Sequence, residues 1–454
     1  MFERLKVLLF GAPRSIEDPQ VFHNISLIAF LAWVGLGADG LSSSCYGPEE
    51  SFKILGQHHY MAVLLALAVA GTVFIISYAY SKIIEHFPFG GGGYVVTTKL
   101  LGSNFGVLSG CALLIDYVLT ISVSIAAGVD AFFSFLPMTF QPLKLAIEIL
   151  VIGILSGMNL RGVKESVKIL MPVFIVFIAT HALLIFGTML ANIHVFPEVV
   201  HEVHTGFRQG YATLGFVGLA ALFLRAYSMG AGTYTGIEAV SNGLSIMREP
   251  KVATGKRTML YMAISLAITA GGITLGYLLV HAVPVPGKTM NAVLTQNFVS
   301  AVRSHGIPLG GWFTVLTLLA EAALLFVAAQ AGLIAGPRVM SNMAQDSWLP
   351  HRFGTLSDRL TMQDGILLMG GASMATLLYT HGDTSTLVLM YSINVFITFS
   401  LTEISMVLFL WRKYKEDGKL GREIYVHTTG FCLCLFILIV NCVEKFAIGG
   451  WVTL

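Results

Sequence analysis

The chain of 454 residues is 55% hydrophobic and only 11% charged, with a formal net charge of +2. A composition this apolar puts it in the membrane class and excludes an ordinary soluble domain. So small a charge, with no basic run interleaved with aromatics, excludes nucleic acid as a partner.

Met1 to Ile16 mixes charges and lacks a short apolar core followed by a small-residue cleavage site. Residues 1–23 therefore read as a retained cytoplasmic leader and not as a signal peptide. Spanning helices need about 20 apolar residues each. The chain offers such stretches at 24–55, 60–84, 104–134, 143–160, 168–192, 214–244, 258–282, 310–336, 365–381, 385–411 and 426–444. A further apolar stretch begins at Phe446 and stops at Leu454, too soon to cross. The expectation is eleven complete spans plus a stub, in a chain shortened at its C terminus. With the N terminus inside, twenty of the 27 Lys and Arg residues fall in inner segments and six, Lys53 and Lys445 among them, in outer ones. Arg225 lies within a span. This asymmetry predicts a multi-pass protein with a cytoplasmic N terminus.

The first and sixth spans are interrupted. One carries Gly37-Ala38-Asp39-Gly40-Leu41-Ser42-Ser43-Ser44-Cys45-Tyr46-Gly47, the other Ser228-Met229-Gly230-Ala231-Gly232-Thr233-Tyr234-Thr235-Gly236-Ile237-Glu238. Glycine, serine and threonine at bilayer depth loosen a helix and free backbone carbonyls, which must then line a protein-enclosed cavity. The two sets of five spans run in opposite senses and each opens with such a break. That is the pattern of a five-plus-five inverted repeat with substrate held near the midplane. The repeats cover residues 24–192 and 193–411, and 412–454 holds a cytoplasmic loop, the eleventh span and the stub.

A carboxylate at the bilayer centre costs roughly 2.5–3.5 kcal/mol on insertion scales, so each one calls for a reason. Asp39 sits in the first break, where it can hold a cation, cap the second half-helix, or both. In the third span Asp116, Thr120 and Ser124 recur every four residues and form one oxygen-bearing stripe. Such a stripe is either a hydrogen-bonded seam between helices or a ligand face. Carboxylates, hydroxyls and freed carbonyls together suit a hard monovalent cation. The lack of a histidine or cysteine cluster there argues against a soft or transition metal. Glu238 follows Thr235 by three residues. It is suited to exchanging a proton as relays in transporters do, or to a structural bond with a backbone amide or Arg225. Glu321 and Glu403 lie in unbroken spans, where pairing with unidentified partners is the plainer reading.

Several features carry no chemistry. Pro88-Phe89-Gly90-Gly91-Gly92-Gly93-Tyr94 lacks the Gly-Lys-Ser/Thr of a phosphate loop and is read as a close-packing loop. His194, His201 and His204 are irregularly spaced and read as a solvated loop. The five cysteines fall in apolar stretches and predict no structural disulfide. No nucleophile, base and oxyanion donors occur together, so the chain does not read as an enzyme.

From about Asn24 onward the motifs resemble the KUP/HAK/KT potassium transporters of the amino acid–polyamine–organocation (APC) superfamily. The likeness rests on Ala38-Asp39-Gly40-Leu41-Ser42-Ser43 with Tyr46-Gly47, on the glycine run 90–93, on Asp116-Tyr117-Val118-Leu119-Thr120, on Thr235-Gly236-Ile237-Glu238-Ala239 and on Asp358-Arg359-Leu360. The resemblance implies an all-α membrane protein with a LeuT-like five-plus-five inverted repeat and broken helices one and six. It implies potassium import in symport with protons across a bacterial inner membrane, with no cofactor beyond the transported ions. Potassium would be held by Asp39, Tyr46, Asp116, Tyr117, Thr120, Ser124 and Thr235. Glu238 would serve proton coupling and Tyr391 would act as a gate. A homodimer is implied too, as is a cytosolic domain regulated by a cyclic dinucleotide. Such a domain and its regulation are not expected of this sequence. Asn394 departs from the family's smaller residue, which puts the gate geometry in doubt. The Tyr234-x-Gly236-x-Glu238 portion is shared widely among amino-acid permeases, so a cationic amino-acid or polyamine permease is the alternative.

Overall fold

The computed structural model describes the chain from residue 27 to 453, apart from 89, 91, 162–166, 245–246, 305, 307, 358–360, 418–420 and 447–449. The leader 1–23 and the Asp358-Arg359-Leu360 motif lie outside the described residues. Among the described residues the architecture is helical throughout. Nine helical stretches are long and apolar enough to cross a membrane, which makes this a multi-pass membrane protein. The expected first span is absent from those nine because it divides into α1 (Ala29–Ser42) and α2 (Gly47–Leu55), each too short to cross alone. The ninth expected span, α13 (Gln363–Thr380), opens on Gln363 and Asp364 and is less apolar.

The remaining spans overlap their expected places, α3 (Ala62–His86), α5 (Ser103–Phe133), α6 (Lys144–Leu160), α7 (Val167–Ala191) and α15 (Glu423–Lys445) to within a few residues, whereas α10 (Lys251–Leu279) opens earlier and α12 (Trp312–Gln345) and α14 (Thr384–Asp417) run on well past the expected ends. The sixth is different. α8 runs from Phe196 to Met229 and bends at Gly215, whose φ of 67° and ψ of 178° are not helical. His201 and His204 accordingly sit on a helix, exposed, and not in the loop expected for them. Two further helices, α4 (Gly93–Leu101) and α11 (Met290–Ser304), join spans on the flanks of the bundle.

Apolar burial places the elements. α5 is buried along most of its length and packs on α12, α14 and α4, so it forms the axis of the bundle. α6 and α15 expose much of their apolar surface, as helices facing lipid do. α1 packs against α10, α12 and α7, and α2 against α8, and the two interrupted segments meet beside α14. At one end of the bundle, charges tie three helices together. Glu85 of α3 pairs with Lys82 at 3.0 Å and with Lys256 of α10, and Glu423 of α15 takes Lys82 at 3.2 Å and His86 at 3.0 Å.

Lys445 corrects the charge map drawn from the sequence. It does not flank an outer loop but is fully buried at the end of α15, its Nζ donating to Ser392 Oγ at 2.5 Å. The stretch after Phe446 contributes a short 3₁₀ turn, Gly450–Thr453.

Candidate functional site: an acidic cage between two helix breaks

The first break is a tightening, not an opening. After α1 the backbone makes a 3₁₀ turn at Ser43–Cys45, leaves helical geometry at Tyr46 (φ −124°) and restarts as α2 with Pro48 in its first turn. The freed carbonyls expected here are largely taken. The hydroxyls of Ser42, Ser43 and Ser44 donate to the carbonyls of Asp39, Gly40 and Leu41 at 2.7, 2.5 and 2.7 Å. Such back-bonding satisfies the orphan acceptors of a helix end within its own turn. Asp39 lies inside α1, and α2 has Tyr46 at its N-cap with no side-chain cap bond. The capping role open to Asp39 is therefore excluded, and its carboxylate is left for another purpose.

The second break opens fully. α8 ends at Met229, a 3₁₀ turn covers Gly230–Tyr234, Thr235 is extended (ψ 153°), and Gly236 takes φ 78° before the short helix α9 (Ala239–Asn242). A positive φ is where glycine is required. Packing adds to the requirement, since a Cβ on Gly236 would come within 2.6 Å of the Gly40 amide nitrogen and 2.8 Å of the Asp39 carbonyl carbon. The two breaks thus cross backbone against backbone. A second glycine serves the same crossing: a Cβ on Gly47 would meet Thr233 Oγ1 at 2.0 Å. Ser43 stitches the crossing, its hydroxyl donating also to the Thr233 carbonyl at 2.7 Å.

Around the crossing the expected residues converge. Tyr46 OH stands 3.5 Å from Thr235 Oγ1, which itself donates to the Gly232 carbonyl at 2.9 Å. From α5, Thr120 Oγ1 donates to Tyr391 OH of α14 at 2.7 Å, and the Tyr117 hydroxyl accepts from Asn242 Nδ2 at 2.9 Å. Asp39, Asp116, Ser124, Glu238 and Tyr391 are all buried. The carboxylates of Asp39, Asp116 and Glu238 lie near enough to act on one another electrostatically, and Asp39 and Asp116 act on Tyr391. Among the described residues none of the three forms an ion pair with a basic side chain. Arg225, a candidate partner for Glu238, instead approaches Glu444 at 3.8 Å. Glu238 takes backbone hydrogen bonds within its own Gly236–Glu238 turn, which leaves Oε2 bare.

Several polar atoms of this cage are buried without a hydrogen-bond partner: Asp116 Oδ1, Ser124 Oγ, Glu238 Oε2 and Asn394 Nδ2. Buried polar atoms are usually satisfied in folded proteins, so the bare oxygens of Asp116, Ser124 and Glu238 are available to accept a partner. The sequence reading missed the connecting groups. Asn242 and Ser43 lie within or beside the quoted motifs, and their polar side chains at bilayer depth were the available signal. Glu49 and Glu50 on α2 are buried too; Lys53 stands 2.6 and 3.0 Å from them, and Glu49 accepts from the Met290 amide that opens α11. Glu321 finds its partner in Asn291 at 2.8 Å, and Glu403 in His427 at 2.7 Å. Gly92 and Gly93 do pack closely, on Asn242 and Thr398; Phe89 and Gly91 lie outside the described residues.

Comparison with known proteins places this geometry. The family model described as amino acid permease matches residues 41–450. This chain belongs to the amino acid permease family. Of this permease's relatives, the potassium transporter KimA of Bacillus subtilis (strain 168) is 31% identical over 454 residues, covering 98% of this chain and 71% of KimA. The cationic amino acid transporter 3, mitochondrial, of Arabidopsis thaliana is 24% identical over 378 residues, covering 78% of this chain and 57% of that protein. Among solved structures, the Eremococcus coleocola manganese transporter in complex with an aromatic bis-isothiourea substituted compound superposes with a TM-score of 0.46 at 14% identity, over 97% of this chain and 90% of that one.

Proposed function

We propose that this permease imports potassium in symport with protons, by alternating access. The observation that carries the reading is the cage of Asp39, Asp116 and Glu238, buried together with bare oxygens and no basic partner. Leaving three carboxylates at bilayer depth uncompensated is costly, and a desolvated monovalent cation offsets that cost. Asp39, Tyr46, Asp116, Tyr117, Thr120, Ser124 and Thr235 supply carboxylate, phenol and hydroxyl oxygens to it, an all-oxygen set suited to a hard ion. Glu238 keeps the spare charge and carries the proton. Tyr391, held by Thr120, closes the cage as a gate. The likeness to KimA supports potassium as the cargo.

In this reading the two breaks are equivalent parts of a five-plus-five inverted repeat that rocks about the fixed site. The protein resides in a bacterial inner membrane with its N terminus in the cytoplasm, and it pairs as a homodimer. Uptake of rubidium into potassium-starved, uptake-deficient cells tests the cargo. Asp116→Asn is expected to abolish it, and unchanged uptake would remove Asp116 from the site. A cationic amino acid or polyamine is the second reading, because the same negative cage attracts an organic cation and one relative is a cationic amino acid transporter. Rubidium uptake that putrescine inhibits and excess potassium does not would favour it.

A further inference from the structure

Beyond the cage, α14 and α15 bury a second set of ionisable groups. His427 Nδ1 lies 2.7 Å from Glu403 Oε2, with the two side chains 0% and 2% exposed. Glu403 Oε1 and His427 Nε2 have no hydrogen-bond partner. A buried ionisable pair is a poor way to stabilise a bundle, since apolar side chains of the same volume do it as well or better. In a membrane such groups are costly and mark ion or proton pathways.

Their place is informative. Toward the cage stands Tyr80, fully buried on α3, and α3 packs against α9, the short helix that follows Glu238. Its ring packs edge-on against Phe399, 5.4 Å between centroids, one turn before Glu403 on α14. The Tyr80 hydroxyl is buried beside Thr402, the residue that precedes Glu403. On the far side, His427 lies one turn from Glu423, which belongs to the Lys82–His86 charge cluster at the end of the bundle. Tyr80 of α3 and Cys434 of α15 are the other ionisable groups that feel Glu403. Among the described residues no Lys, Arg, Asp or other Glu acts on this carboxylate.

We propose that the Glu403–His427 pair is the receiving site for the proton carried by Glu238, with the Tyr80 hydroxyl between them. The inference rests on the symport reading above. The Glu238 carboxyl gives its proton to the Tyr80 oxygen as that hydroxyl releases its own toward Glu403. Glu238 becomes a carboxylate, the tyrosine is unchanged, and the Glu403–His427 pair gains one proton and one positive charge. His427 Nε2 then passes a proton to solvent at that end of the bundle, restoring the pair.

The test uses the full chain in proteoliposomes, with two measurements: rubidium uptake driven by an imposed pH gradient, and potassium–rubidium exchange at uniform pH. Exchange moves the cation without turning over the proton. Tyr80→Phe keeps the ring packing, and Glu403→Gln and His427→Gln keep the volume. Each is expected to slow gradient-driven uptake at least about tenfold, as loss of a proton-transfer group does, while exchange continues. Unchanged uptake in Tyr80→Phe and His427→Gln overturns the relay. A parallel fall of uptake and exchange in all three variants also overturns it, by assigning the pair a structural role. Glu238→Gln separates the two readings: if it leaves gradient-driven proton and rubidium flux intact, the symport reading fails. If it stops that flux while the Tyr80 and His427 variants do not, only the receiving site fails.

Discussion

The two helix breaks solve the same problem in opposite ways. In the first, three consecutive serines return their hydroxyls to the carbonyls of Asp39, Gly40 and Leu41, so the turn is satisfied from within. In the second, the Thr235 hydroxyl folds back onto the Gly232 carbonyl, Glu238 bonds within its own turn, and the chain passes through an extended residue and a positive-φ glycine. A turn whose acceptors are already bonded resists rearrangement, whereas one with few internal bonds can exchange them at low cost. In the proposed transport cycle the first break is expected to stay as the fixed wall of the site, and the second to change shape and carry Glu238 with it.

The strongest challenge to that contrast is Gly236→Ala. A left-handed backbone costs an L-residue about 1–2 kcal/mol, and here the added methyl also strikes the Gly40 backbone, which cannot step aside. Loss of rubidium uptake together with a lowered melting temperature in detergent is expected; a variant with parental behaviour would mean that the breaks do not cross closely. Gly47→Ala should come next, since its methyl would occupy the place of Thr233 Oγ1. Overpacking of this kind costs about 1–3 kcal/mol. Adding Thr233→Ala should recover much of the loss, and strict additivity of the two stability changes would argue against the contact. Smaller is Ser43→Ala, which removes one hydroxyl shared between Gly40 and Thr233 carbonyls, at about 1 kcal/mol. Thermal melting should register it while rubidium uptake survives, as befits a wall. Tyr391→Phe should be mildest in stability, about 0.5–1.5 kcal/mol for the bond from Thr120. Its effect should appear instead as a raised half-saturating rubidium concentration.

Hydropathy made the long spans legible, because twenty apolar residues in a row have few other uses. It could not locate α4, α11 or the first half of α8, whose polar residues mix with apolar ones and whose helicity comes from docking on the bundle. The acids Asp39, Asp116 and Glu238 were visible as charges out of place. Their grouping was foreshadowed by the glycines around Asp39 and Glu238, by the oxygen stripe of Asp116, and by the family resemblance. Partners across helices were not legible: nothing in the spacing of α14 and α15 says that Glu403 faces His427. Lys445 shows the same limit from the other side. A charge near the end of an apolar run looks like a flank, yet this one turns inward to Ser392.

The charge cluster at the end of α3 has a mechanical meaning. Glu85 is shared by Lys82 of its own helix and Lys256 of α10, and α3 and α10 lie against each other. Separating them would leave the Lys256 ammonium to be rehydrated at the membrane boundary, while Glu85 keeps Lys82 of its own helix. Because α10 also packs on α1, a tilt of α3 and α10 together would reach the helix that bears Asp39.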